Sequence, residues 1–581
     1  MKNPGTAHQA SELPRFERDL FEGQESFTCI GGGAIGGKAA GLAFADDVLR
    51  RHLPDSRFGN ITVNIPRLTV LAAGVFDAFL NINHLHEIAY SEEPDHIIAL
   101  AFQKGDLPAD IIGDLRALIN KVTQPLAIRS SSLLEDAIYE PFAGVYATKM
   151  IPNNQPDADT RFRKLIEAIK LVYASTFFAE ARGYRRATGK ESKDEKMSVI
   201  IQEVVGRRHE DRFYPDVAGV IRSYNFYPIG DARPEDGLVE LAIGLGKTIV
   251  DGGMSWAYSP SFPKVSPPFT TAELLRQTQT EFWAVNMGRP PAFDPVRETE
   301  YMKTEPIGIA EEDGILASLV STYDRANDRV VMGMAVAGPR IVNFAPLIRL
   351  DDYPLNELLI TLERIFKEEV DADVEMEFAL TFEGGEHVRF GFLQVRPMVV
   401  SQELVEVSDE EFAAVGVIVS SDRVMGNGQN DTITDIVFVK PDVFDAKETR
   451  QIVSEIDAVN RNLLSDNRPY LLIGFGRWGS SDPWLGIPVN WSNIAGARVL
   501  VEATSPNMNV ELSQGSHFFH NISSFGVFHF SVRHDSDHRI DWEWLKRQEV
   551  IGESGHLCHV RVDMPIKVKV DGRSGRGVIR S

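Results

Sequence analysis

Apolar and polar positions along the chain follow two periods, near 3.6 and near 2, separated by glycine- and proline-rich breaks. A short apolar run, Phe27 to Ile30, meets a glycine cluster from Gly31 to Gly37. It continues into KAAGLAFADDVLRRH, which predicts an amphipathic helix with Leu42, Phe44 and Val48 as candidate core positions. Strand-like segments follow at 61–63 and 68–71, then a helix from about Gly74. Between Thr160 and Gly189, the residues Phe162, Leu165, Ile166, Ile169, Val172 and Tyr173 recur at helical spacing. They predict one long helix with Gly189 as its stop. MSVIIQEVV (197–205) has the β-branched character of a buried strand. Residues 206–260 alternate short strands with turns, and 266–330 are less regular. Leu355, Leu358, Leu359, Leu362, Ile365 and Phe366 mark a further helix that feeds a hairpin from Asp373 to Met398. The acidic stretch SQELVEVSDEEF (401–412) reads as a boundary, and the last segment, IKVKVDGRSGRGVIRS, is strand-like and mildly basic.

Composition narrows what these elements can serve. The 581 residues are 43% hydrophobic and 25% charged, enough apolar material for several cores. Sixty basic against 83 acidic residues give a net charge of −23, which argues against broad nucleic-acid or anionic-membrane binding. A phosphate site would need its positive charge concentrated locally. No apolar stretch reaches the ~18 residues of a membrane span, and the N-terminus lacks the apolar core of a signal peptide. The two cysteines, Cys29 and Cys558, lie far apart and suggest no disulfide framework, so a cytoplasmic location is the expectation.

Two phosphate-binding signatures fail on context. Gly31-x-Gly33-x-x-Gly36 matches a dinucleotide fingerprint, but Arg50–Asp55, where its acidic residue belongs, reads as the end of a helix. Small residues there still let backbone N–H groups approach an anion, with Lys38 adding a point charge. Gly246-Lys247-Thr248 lacks the P-loop's first glycine, since that position is Leu241. The segment 125–148 is more informative. Its strand Leu126–Ile128 ends in Arg129 and three serines, which suits either an oxyanion or a plain serine-rich turn before an acidic helix start at Glu135-Asp136. In the 373–398 hairpin, alternation sets Val374, Met376 and Phe378 on one face and Asp373, Glu375 and Glu377 on the other. The return strand carries Gln394 and Arg396 together. These oxygen donors suit Mg²⁺; the alternative is an exposed acidic face with one cross-strand salt bridge.

Taken in order, the segments 31–42, 125–148, 197–205, 219–223, 240–252 and 373–398 resemble the ATP-grasp nucleotide-binding domain of the pyruvate phosphate dikinase and phosphoenolpyruvate synthase family. The resemblance implies an α/β (α+β) fold with an N-terminal lobe at 1–205, a C-terminal lobe with a metal-binding hairpin at 206–400, and a separate mixed α/β domain at 401–581. It implies ATP and Mg²⁺ as cofactors. Lys38 and Arg129 become phosphate ligands, and Gln202, Glu203 and Val204 fall in the adenine-binding linker. Glu375 and Glu377 become the acidic pair of the family's metal site at the nucleotide, with Glu377 the better-matched metal ligand beside Gln394, and Gln394 and Arg396 the family's Gln-x-Arg partners. Catalytic charge neutralisation then rests on Arg129, Lys38 and Arg396.

Two positions depart from the family pattern: Lys247 stands where an acid is usual, and Arg222-Ser223 where a threonine is. No convincing phosphohistidine motif is present, and about 180 residues cannot hold a ~250-residue barrel. The expected activity is an ATP-dependent phosphotransferase acting on an unidentified acceptor. The alternative is a non-catalytic nucleotide sensor, or a subunit working with a separate phosphohistidine-domain protein; no nucleic-acid or membrane partner is expected.

The last third adds weaker candidates. GFGRWGSSDPWLGIPVNWSNI (474–494) reads either as a functional loop or as tryptophans pinning a loop to a sheet. His517 and His520, in SHFFHN, are candidate general bases or phosphoryl acceptors. His534-Asp535-x-Asp537-His538 and His556-x-Cys558-His559 have no spacing that specifies a metal.

Overall fold

The computed structural model describes residues 13–54, 57–132, 135, 144–187, 195–265, 269–350, 352–384, 387–398, 400, 405–480, 482–506, 508, 510, 518, 521–522 and 525–581. The chain forms two compact units. The first comprises Met1–Ser223, Leu238–Thr248 and Ser255–Pro397; the second comprises Tyr224–Gly237, Ile249–Met254 and Met398–Ser581.

In the first unit, the apolar run Phe27–Ile30 is the edge of a five-stranded sheet. Its order continues through Leu68–Leu71, Met197–Glu203, Leu126–Ser132 and Thr148–Ile151, and only the first pair is parallel. A six-stranded sheet runs Trp256–Tyr258, Leu238–Ala242, Val217–Arg222, Val374–Glu383, His387–Pro397 and Ile61–Asn64. The strands Ile61–Asn64 and Leu68–Leu71 thus belong to different sheets, so the chain crosses from one to the other within four residues. The helix Gly37–His52 buries Leu42, Ala45, Val48 and Leu49, while Phe44 is only partly buried; Arg50 and Arg51 lie within it, and among the described residues no strand ends there.

The glycines before this helix permit close backbone approach. A Cβ on Gly36, whose φ is +77°, would meet the carbonyl oxygen of Ser131 at 1.8 Å, and one on Gly37 would meet that of Glu135 at 1.9 Å. Ser131 in turn accepts the first-turn N–H of Ala39 at 3.0 Å, capping the helix from another strand.

The single helix predicted over 160–189 is two helices, Ala158–Ser175 and Ala179–Ala187. The break buries Phe177 against Phe76, Tyr90 and Phe102. Asp95, from a distant helix, accepts the Ala179 N–H at 2.7 Å and so starts the second helix. Gly189 lies outside the described residues.

The second unit is built on a nine-stranded sheet. Its centre is four parallel strands, Asn427–Val439, Tyr470–Phe475, Ala497–Ala503 and Phe528–Val532. Trp478 and Trp491 are buried in it, whereas Trp484 is exposed. Among the described residues, no helix is long and apolar enough to cross a membrane. Both cysteines are buried and free.

Candidate functional site

Four strands of the first unit carry side chains to one point. Arg129 lies on Leu126–Ser132, opposite Ile200 of Met197–Glu203, and Gln202 is two residues further along that neighbour. In the other sheet, Glu377 is paired with Gln394 across the Val374–Glu383 and His387–Pro397 hairpin, and Glu375 with Arg396. A register irregularity after Glu377 marks a bulge at this point. The Arg129 guanidinium joins the two sheets. Its Nη1 donates to Gln202 Oε1 at 3.1 Å and to the Leu393 carbonyl at 2.9 Å, and its Nη2 donates to Gln394 Oε1 at 2.7 Å. The Glu377 carboxylate lies 3.7 Å away. The hairpin face is therefore covered rather than exposed, with Gln394 and Arg396 each 3% accessible.

Lys38 reaches a different anchor. Its Nζ pairs with Glu135 Oε1 at 2.6 Å and donates to Ser130 Oγ at 3.3 Å. Glu135 also accepts from Ser130 Oγ at 2.8 Å and from the Ser132 N–H at 2.9 Å, while Ser132 Oγ accepts the Glu135 N–H. These two bonds tie Ser132 and Glu135 reciprocally to each other. Behind them, burial pushes the Glu195 carboxyl up to about 7 despite the nearby Ser132 and Arg185.

Glu203 and Val204 sit at the crossing between sheets. The Glu203 carboxylate is bound by Arg67 at 2.9 Å, at the edge of a cavity of about 400 Å³ lined also by Arg50, Asn64 and Arg389. Its N–H donates to the Arg67 carbonyl, and the Val204 N–H to the Pro125 carbonyl. Any base recognition by this segment must use atoms other than these two amides. Lys247 pairs with Glu298 at 3.1 Å.

Glu375 is held by two arginines, Arg396 and Arg222, from the flanking strands. Arg222, noted in the sequence only as a departure, thus reaches Glu375; its burial at the end of an interior strand was not legible from composition. His517 and His520 lie outside the described residues. The histidine pairs further on disperse: His534 bonds Thr504, His538 approaches Asp422, His556 bonds Glu455 and His559 bonds Asp435. Among the described residues, no three His, Cys, Asp or Glu side chains form a metal cage. Glu377 and Gln394, opposite each other across the hairpin, carry the oxygen donor types that suit an ion which keeps waters and takes further oxygens from phosphates, as Mg²⁺ does; Gln394 Oε1 also accepts from Arg129.

The family model described as pyruvate phosphate dikinase, AMP/ATP-binding domain, matches residues 33–414. A phosphoenolpyruvate synthase of Aeropyrum pernix is 25% identical over 232 residues, covering 38% of this chain. The matched stretch spans a quarter of that relative's length.

Proposed function

This chain belongs to the pyruvate phosphate dikinase AMP/ATP-binding domain family and has an ATP-grasp-type α+β fold, and from that premise we propose that it binds Mg·ATP and transfers a phosphoryl group to an acceptor. The observation that carries this reading is the meeting of Arg129, Gln202, Gln394 and Glu377 from strands of two sheets. In the reading, residues 1–205 and 206–400 are the two lobes around the nucleotide. Arg129 donates at present mostly to neutral oxygens, and a planar guanidinium exchanges such partners for phosphate oxygens with a gain in charge-assisted bonding. Lys38, in the first turn of the helix Gly37–His52, and Arg129, on the five-stranded sheet, bind the phosphates, and Gln202–Val204 orient the base. Glu377 and Gln394 hold Mg²⁺, which neutralises charge on the phosphate oxygens when bound. Arg129 remains positioned to stabilise the charge that builds on the transferred group.

The acceptor is a small molecule or a histidine, including one on a separate chain. The pairing of Lys247 with Glu298 favours the second reading, a sensor that binds nucleotide without turnover. Incubation of the full chain with radiolabelled ATP and Mg²⁺ separates them. Release of ADP or AMP, or an acid-labile phosphoprotein, supports the transferase; binding without turnover, with or without cell extract, supports the sensor. Glu377→Ala is expected to abolish Mg-dependent turnover while the circular dichroism spectrum is retained. Unchanged turnover would remove the metal assignment.

A further inference from the structure

The glycine- and tryptophan-rich loop that follows the strand Tyr470–Phe475 fixes one arginine, Arg477, in place. Arg477–Trp478 runs parallel to Gly486–Ile487. A Cβ on Gly486 would meet the Arg477 carbonyl oxygen at 2.0 Å, so only glycine lets the two segments close this far. Trp478 folds over Gly474, where a Cβ would meet its ring at 2.4 Å. The Trp478 backbone N–H donates to Glu502 Oε1 at 2.8 Å, and its Nε1 donates to the Val501 carbonyl at 3.2 Å. The Arg477 N–H donates to the Leu485 carbonyl at 2.8 Å. The Arg477 side chain is buried, and its Nη1 donates to the carbonyls of Gly252 and Gly253 at 2.8 and 3.1 Å.

Those two glycines end the segment 243–253, which leaves the first unit after Thr248. The start of the segment is held within the first unit. Gln279 bonds both the N–H and the carbonyl of Ile243, and the Leu245 N–H donates to the Trp283 carbonyl at 2.9 Å. Leu245 belongs to a small apolar cluster with Phe213, Val285 and Met287, and Val204 packs against that cluster. Lys247, in the helix Lys247–Val250, meets Glu298. A segment fastened at one end samples many positions, whereas one fastened at both ends presents its middle already ordered for a ligand. We propose that Arg477 is a positioning residue for the nucleotide. By holding Gly252 and Gly253 it fixes the far end of this segment and keeps Leu245 in place beside the base-orienting Val204. This inference rests on the nucleotide-binding reading above, and it gives a residue outside the two lobes a part in nucleotide affinity.

The test compares wild type with Arg477→Met, Arg477→Lys and Trp484→Ala in the full chain. Hydrogen exchange, read by mass spectrometry, follows residues 249–254 and, as an internal standard, the strand Ala497–Ala503. Calorimetry follows binding of the non-hydrolysable analogue adenylyl imidodiphosphate with Mg²⁺. Arg477→Met is expected to speed exchange at 249–254 about tenfold or more, to leave 497–503 unchanged and to weaken analogue binding about tenfold. Arg477→Lys keeps a charge and a donor, and is expected to fall between wild type and Arg477→Met on both readouts, a graded rescue that lost packing would not give. Trp484 is exposed on the same loop, and Trp484→Ala is expected to match wild type on both. The proposal is overturned if a folded Arg477→Met leaves exchange at 249–254 unchanged or raises it equally at 497–503. It is also overturned if exchange rises while affinity stays within about twofold of wild type, or if Trp484→Ala loses as much affinity as Arg477→Met. If Arg477→Met fails to fold, Arg477→Lys decides: a shift in both readouts supports the proposal, and a wild-type value in either overturns it. If wild type binds no analogue while Arg477→Met still frees 249–254, the nucleotide reading fails and the anchoring by Arg477 stands.

Discussion

The Arg129 junction of the first unit and the Asp435 cluster of the second both bring cations to a carboxylate, but they enclose it differently. Asp435 is fully buried and accepts from Arg468 at 2.6 and 2.8 Å, from Arg561 at 3.0 Å and from His559 at 2.8 Å. Burial opposes its charge, yet hydrogen bonds from His559, Arg468 and Arg561 hold the carboxyl well below the usual range. At Arg129 the guanidinium donates instead to two amide oxygens and a carbonyl, and its acid stands off at 3.7 Å. A carboxylate saturated by cations is a strut, because no arriving ligand improves its bonding. A cation bonded to neutral oxygens is different, since an anion can displace them with a net gain. By this criterion Glu375, held by Arg222 and Arg396, belongs with Asp435.

The contrast is most exposed to failure at Asp435. Asp435→Ala leaves two arginines and a histidine together, and is expected to destabilise the second unit by about 3–5 kcal/mol in urea unfolding. A loss below about 1 kcal/mol would show that the cluster is not a strut. Arg129→Ala is expected to lower nucleotide affinity about tenfold or more by calorimetry, with stability changed by only about 1 kcal/mol. The reverse pattern would make Arg129 a structural link between sheets.

The two units should also respond oppositely to pH. In the second, Glu455 is opposed by burial, but hydrogen bonds from Ser554 and His556 lower its pKa from 4.5 to about 2. Its contribution is whole above pH 4.5 and is lost as the pH falls toward 2. In the first, the Glu195 carboxyl is raised by burial from 4.5 to about 7. Its contribution is whole below pH 4.5 and is lost as the pH rises through about 7. Glu455→Gln and Glu195→Gln should each flatten the corresponding limb of the stability profile by roughly 1–3 kcal/mol, read from urea midpoints across pH. The smallest effect is expected for Lys247→Ala. Its partly exposed pair with Glu298 should be worth less than about 1 kcal/mol in the same unfolding assay.

Much of the framework was legible in the chain. The helix Leu355–Val370 follows directly from its apolar spacing, and the hairpin from strict alternation around the glycines near 384. The pairings Glu375–Arg396 and Glu377–Gln394 follow once the hairpin is in register. The break after Ser175 was not legible, because its cap comes from Asp95 and its buried ring from contacts with three distant aromatics. Nor was the partner of Lys38, since Glu135 lies 97 residues away along the chain.

The sequence by itself determined the periods, the turns and the order of strands, because these depend on residues a few positions apart. It also carried the types of group available for chemistry. Only the tertiary structure decided which carboxylate two arginines enclose. Glu375 and Glu377 have the same chemistry and the same strand, but Arg222 arrives beside one of them from a strand about 150 residues earlier. The energy of a charge depends on what surrounds it in three dimensions, and local sequence does not encode that surrounding.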